Sequence, residues 1–276
     1  MKYCLALLLW GISTAVAAAP RNDIPSCYDY AHMAQYRPAE TGRELVIIVD
    51  QTVTVPLDLK KSTWNQVLRF VQPGDHVMLY QFSALLQDNY MKRVFDGRLE
   101  MPFIDKKTRN GIGMDSLKSL DACLVQQQQF FAKTLGGHMA ASFADSQTRI
   151  AKSEILDSLK HIASDLQHSP SSQTTILLIS DMLENSDFDS FYRQQAIREL
   201  SPQNELQRVT RQGLLADFGG ANVYVAGAGL IDINAKNSYR SGKVLRQLKT
   251  FWQDYFEASN AKLISFGTPE LTVDLR

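Results

Sequence analysis

Two stretches of this chain end a run of branched apolar residues on an acid. Leu45-Val46-Ile47-Ile48-Val49 leads into Asp50, and Thr175-Ile176-Leu177-Leu178-Ile179 leads into Ser180-Asp181. Runs of this length without polar alternation suit strands covered on both faces, as in a parallel sheet. Parallel neighbours need crossover connections, usually helical, and the sequence supplies them. Trp64, Val67, Leu68 and Val71 recur at i, i+3, i+4 and i+7 before Pro73-Gly74, which predicts an amphipathic helix from Leu59 onward. Strands are predicted at 76–82 and, as a polar edge strand, at 92–101. A helix over 152–166 would bury Ile155, Leu156, Leu159, Ile162 and Ala163. Helices near 206–218 and over 242–258 then alternate with strands at 222–228 and 262–266. The fold class that follows is α/β: a Rossmann-like, doubly wound, mostly parallel central sheet with one antiparallel edge strand and helices on both faces.

A minimal alternating fold has no need of residues 108–145. There Asp115 can cap a helix whose Leu117, Leu120, Leu124, Phe131 and Leu135 lie along one side, with Gly136-Gly137 ending it. The polar stretch 185–204 reads as a long loop. No repeat or low-complexity linker divides the chain, so one domain is expected at 44–268, with a helical insertion at about 108–145. An N-terminal arm at 18–43 precedes it and a tail at 269–276 follows.

The start of the chain addresses the compartment. Met1-Lys2, an apolar run from Cys4 to Ile12 and the small residues Ala15-Val16-Ala17 read as a signal peptide over 1–17, with cleavage at 17–19. An uncleaved anchor is the alternative. The expected location is beyond the inner membrane, in the periplasm, and nothing in the mature chain requires membrane contact. Cys27 and Cys123 remain after cleavage, and an oxidising compartment favours a disulfide between them over two free thiols. With 29 basic against 29 acidic residues and no block of like charge, an extended basic surface for nucleic acid is excluded.

In an open α/β sheet, ligands bind beyond the carboxyl ends of the strands, where strand order reverses. Asp50 and Asp181 belong there. Asp50-Gln51-Thr52-Val53-Thr54 carries oxygen at alternate positions, an arrangement suited to a hard cation such as Mg²⁺. The bland alternative uses both acids as caps, Thr52 and Thr54 as turn residues and Ser153 as a helix N-cap.

Asp50-Gln51-Thr52-Val53-Thr54 after a buried strand resembles the Asp-x-Ser-x-Ser motif of von Willebrand factor type A domains, with Thr in place of both Ser. Gly74-Asp75-His76-Val77-Met78-Leu79-Tyr80-Gln81-Phe82-Ser83 is similar to that family's second strand, and Ile176 to Asp181 to the strand that delivers its later acid. The resemblance spans about 44–266. It implies a metal-ion-dependent adhesion site holding Mg²⁺ or Mn²⁺ through Asp50, Thr52, Thr54 and Ser153, with Asp181 acting through water. Thr148 competes with Ser153 for the later hydroxyl, and Lys152 stands where the family has Gly. The implied function is noncatalytic: a protein-binding component of a larger extracytoplasmic assembly, whose partner completes the metal site with an acidic side chain. A metal-free scaffold of the same fold is one alternative. The other is a phosphatase resembling the haloacid dehalogenase type, with Asp50 as nucleophile and Ser180 on phosphate. That type also needs a Lys and a closing pair of acids after a later strand, but Val223-Tyr224-Val225-Ala226-Gly227-Ala228-Gly229 delivers no acid at its end, and Asp232 comes late and alone.

Other signals read as structural. Gly227-Ala228-Gly229 lacks the third glycine of a dinucleotide fingerprint and suits tight backbone packing. His161 and His168 read as a solvated face, and Glu184, Asp187 and Asp189 as a solvated loop beside the site. Phe251, Trp252, Tyr255 and Phe256 read as core. The insertion at 108–145 is a second candidate for partner recognition.

Overall fold

The computed structural model describes residues 21–83, 91–103, 105–144, 152–169, 171–193, 196–230 and 242–276. The expected leader and Thr148 lie outside the described residues. In chain order the elements are α1 (Cys27–Tyr30), β1 (Arg43–Asp50), α2 (Leu57–Phe70), β2 (His76–Phe82), β3 (Met91–Arg98), α3 (Lys106–Arg109), α4 (Met114–Ala144) and α5 (Ile155–Leu166). There follow β4 (Gln173–Ile179), β5 (Tyr192–Arg193), β6 (Ala196–Ile197), α6 (Pro202–Arg211), β7 (Ala221–Ala226), α7 (Gly242–Ala258) and β8 (Ala261–Phe266).

Six strands form one sheet in the order β3-β2-β1-β4-β7-β8, and β5 and β6 form a separate hairpin. All neighbours in the large sheet are parallel except β2 and β3. This is the doubly wound α/β sheet with one antiparallel edge that the apolar runs predict. The chain steps outward from β1 through β2 to β3, then returns to the other side of β1 with β4, so strand order reverses between β1 and β4.

Successive residues of the central strands serve opposite faces, as the period of two requires. Val46, Ile48, Ile176, Leu178, Val223 and Val225 face α5, α6 and α7. Leu45, Ile47, Val49, Leu177 and Ile179 face α2 and α4. The edge at β3 is closed by the N-terminal arm: the Asp23 amide donates to the Asp96 carbonyl at 2.7 Å, and the Arg98 amide donates to Asn22 Oδ1 at 3.1 Å. Such cover removes a row of unpaired backbone groups from the outer strand.

Four local expectations need correction. α2 does form, but Leu68 is exposed, and the buried face runs through Leu59, Thr63, Gln66, Val67 and Phe70. Gln66 is buried because its Oε1 accepts the Leu275 amide at 3.2 Å, which docks the C-terminal segment. α4 buries all five expected residues yet continues through Gly136-Gly137 to Ala144. A Cβ at Gly136 would lie 3.3 Å from the Trp64 ring, so packing against α2, rather than helix termination, accounts for that glycine. The 185–204 stretch holds the β5-β6 hairpin, and α6 stops at Arg211, short of the expected 218, where the chain turns at Gly213 with φ 66°.

Cys27 and Cys123 are joined by a disulfide that ties α1 to α4 across 96 residues. Among the described residues, no helix is long and apolar enough to cross a membrane.

Candidate functional site

The carboxyl ends of β1 and β4 meet at the reversal of strand order, and both acids stand there. Asp50 is the last residue of β1 and is fully buried. Its Oδ1 accepts the Thr52 amide at 2.9 Å and the Thr52 hydroxyl at 2.5 Å, which closes a tight turn over the strand end. Its Oδ2 accepts Ser180 Oγ at 2.7 Å and Ser153 Oγ at 3.4 Å. Asp50, Thr52 and Ser153 thus come together as the sequence suggests. Thr54 is exposed in the same turn and makes none of these hydrogen bonds.

Asp181 follows β4 and is 4% exposed. Its Oδ1 accepts the Leu183 amide at 2.9 Å and its Oδ2 the Tyr192 hydroxyl at 2.6 Å. The bend that aims it is held on three sides. Ser180 Oγ accepts the Met182 amide at 2.9 Å, the Gly229 amide donates to the Asp181 carbonyl at 2.8 Å, and Trp252 Nε1 donates to the Met182 carbonyl at 2.8 Å. Met182 itself takes φ 62°, a left-handed conformation that costs a non-glycine residue about 1–3 kcal/mol and persists only where its surroundings fix it. Phe251, Trp252, Tyr255 and Phe256 are buried as a cluster of ring contacts, so Trp252 acts on the site from within the core.

Ser153 does not cap α5. That task falls to Glu184, whose Oε2 accepts the Leu156 amide at 3.0 Å. The Ser153 backbone pairs instead with Asn185, the two amides donating to each other's carbonyls at 2.8 and 2.9 Å, and its hydroxyl turns to Asp50. A sequence-level argument from capping therefore misses why this serine is here.

Neither Asp50 nor Asp181 has a Lys, Arg or His partner among the described residues. Burial pushes Asp50 above the ordinary carboxylate range, against the opposing pull of Thr52, Ser180 and Ser153. Burial, and after it the charge of Asp50, pushes Asp181 up to about 8. Two buried carboxylates that feel each other's charge resist carrying it together unless a cation joins them. Every side-chain donor around Asp50 is an oxygen, which fits a hard divalent cation and not zinc held by nitrogen or sulfur. Among the described residues, no three His, Cys, Asp or Glu side chains gather into a metal cluster, so any ion here would depend on hydroxyls as well as acids.

Ser180 and Tyr192 are the residues the sequence left out of the cation site. Ser180 adjoins Asp181 and was legible as a candidate. Tyr192 lies in the polar stretch and gave no signal. Asp187 is exposed beside Lys152, whereas Asp189 is held by Arg198 at 2.6 Å and Arg208 at 3.0 Å, with Glu205 bound to the same two arginines. The expected solvated loop is thus cross-braced at its base, and Glu184 is buried, so of the three acids Asp187 alone is exposed. His161 and His168 are exposed.

No protein-family profile and no curated protein matches the chain. Among solved structures, it is similar to an aerotolerance-related membrane protein from Bacteroides fragilis, at 14% identity over 82% of this chain and 92% of that one, with a TM-score of 0.34. It is also similar to the N-terminal domain of TFIIH p34, at 12% identity over 76% of this chain and 97% of that one, with a TM-score of 0.25.

Proposed function

We propose that this chain is a noncatalytic, extracytoplasmic binding protein of the von Willebrand type A kind, which recognises a protein partner at a divalent cation. The supporting observation is the pair of buried acids, Asp50 and Asp181, without a basic partner among the described residues and with three hydroxyls gathered on Asp50. Asp50, Thr52 and Ser153 would hold the ion, with Ser180 and Asp181 behind them. A bound Mg²⁺ or Mn²⁺ would give an acidic side chain of the partner a charged point of attachment. The chain's own part is to keep the oxygens converged and mostly out of water, where charge interactions gain strength. Ser153 supports this reading, since its hydroxyl is spared from helix capping by Glu184. The Cys27–Cys123 disulfide is in keeping with an oxidising compartment.

The phosphatase reading is less well supported. Asp50 is fully buried under hydroxyl donors, and no Lys among the described residues reaches either acid.

The test is capture of partners from native extracts on the immobilised mature protein, in Mg²⁺ and in chelator. The expected result is a partner retained only in Mg²⁺ and lost with Asp50→Asn. A partner retained equally in chelator and by the variant would move recognition to another surface.

A further inference from the structure

Asp181 is engaged on both oxygens, and its two donors differ in kind. Leu183 donates a backbone amide fixed by the bend after β4, whereas Tyr192 donates a phenol from the first strand of the β5-β6 hairpin. A hydroxyl 2.6 Å from a carboxyl oxygen in a buried site is a short, well-formed hydrogen bond. The hairpin that carries it is tied down independently of the site. The Phe191 amide donates to the Glu184 carbonyl at 2.8 Å, the Arg198 amide donates to the Phe191 carbonyl at 2.9 Å, and the Phe191 ring packs edge-on against Phe251 at 5.1 Å. Arg198, bound to Asp189 and Glu205, anchors the return strand. Tyr192 is therefore held ready on one of the two acids, while the hydroxyls of Thr52, Ser153 and Ser180 all serve the other.

We infer that Tyr192 is a positioning residue for the cation site, whose phenol competes with a divalent cation for Asp181, so that filling the site releases Tyr192. This rests on the cation-binding reading above. The physical ground is that a carboxyl oxygen already engaged by a short O–H donor is a poorer ligand, for an ion or for the water around it, than one left open. Release would loosen one tie between the hairpin and the site, which links occupancy of the ion to the surface formed by β5 and β6. A purely structural Tyr192 would keep its hydrogen bond whether or not an ion was present.

The experiment titrates metal-stripped wild-type protein, Tyr192→Phe and Asp50→Asn with Mn²⁺, by calorimetry and by near-ultraviolet tyrosine difference absorbance. The expected result is saturable binding in wild type, about tenfold tighter binding in Tyr192→Phe, the worth of one hydrogen bond, and none in Asp50→Asn. Saturation should also produce a tyrosine difference signal in wild type that is missing in Tyr192→Phe. Equal or weaker binding by Tyr192→Phe, with Asp50→Asn still inactive, would overturn the competition and leave the cation site standing. Absence of binding in both wild type and Tyr192→Phe would remove the cation site and this inference together. Should Tyr192→Phe fail to fold, the wild-type signal decides: a tyrosine change that follows Mn²⁺ supports release, and a flat spectrum at saturation refutes it.

Discussion

His76 lies between two carboxylates, with Nδ1 2.9 Å from Glu44 and Nε2 2.7 Å from Asp96, where β1 and β2 begin and β3 ends. Burial works against the imidazolium, but the hydrogen bonds to Asp96 and Glu44 outweigh it and raise His76 above its ordinary value. Burial likewise works against the Glu44 carboxylate, and hydrogen bonds from His76 and Ser169 outweigh that and lower it. The signs follow by linkage. The raised His76 stabilises the fold fully below its ordinary value of 6.5, and that contribution fades as pH rises through its higher folded value. The lowered Glu44 contributes above its ordinary 4.5 and fades as pH falls through its folded value. His76→Gln should therefore cost about 3–5 kcal/mol between those limits, because it strips a buried charge of its partner, and less at high pH. Urea unfolding of both proteins across this range checks it, and a pH-independent difference would contradict it. None of this triad was legible in the sequence, where Glu44, His76 and Asp96 are far apart. Asp50 and Asp181 were legible because each ends a buried strand. Tyr192 was not, because its reach to Asp181 depends on a two-residue strand inside a polar stretch.

At the scale of elements, the strands were the most legible part of the fold. β2 and α7 fall on the expected bounds, since continuous apolar runs and a clear 3.6-residue stripe leave few choices. The helix ends were harder. Gly136-Gly137 looks like a stop signal, and only the Trp64 ring beside Gly136 explains a glycine inside α4. The glycines after β7 carry the opposite lesson, as tight packing is what they serve. Gly227 takes φ 100°, and a Cβ there would sit 3.0 Å from the Ser180 carbonyl oxygen. Gly227→Ala should cost about 1–3 kcal/mol through backbone strain and displace Ser180 from Asp50. The measurement is thermal unfolding together with Mn²⁺ affinity. Loss of stability with unchanged affinity would separate the turn from the site.

Across the whole molecule, the sheet places the site and the disulfide keeps the arm in register. Glu100 accepts hydrogen bonds from the Cys27 amide at 2.6 Å and Ser26 Oγ at 2.7 Å, and Gln127 of α4 donates to the Pro25 carbonyl at 2.8 Å. The arm is thus bound to α4 and to the segment after β3 by more than the sulfur bridge. Closing a loop of this length is worth roughly 4 kcal/mol in the chain-entropy model, so Cys27→Ala/Cys123→Ala should unfold at clearly lower temperature while keeping its fold. Equal unfolding temperatures with and without the bridge would show that the polar contacts alone hold the arm. The central claim concerns the cation, and calorimetric titration of the metal-stripped protein with Mg²⁺ and Mn²⁺ beside folded Asp50→Asn tests it most directly. Saturable binding in the wild type that vanishes in the variant is the predicted result. Heats that do not saturate up to millimolar cation, or that survive the loss of Asp50, would contradict it.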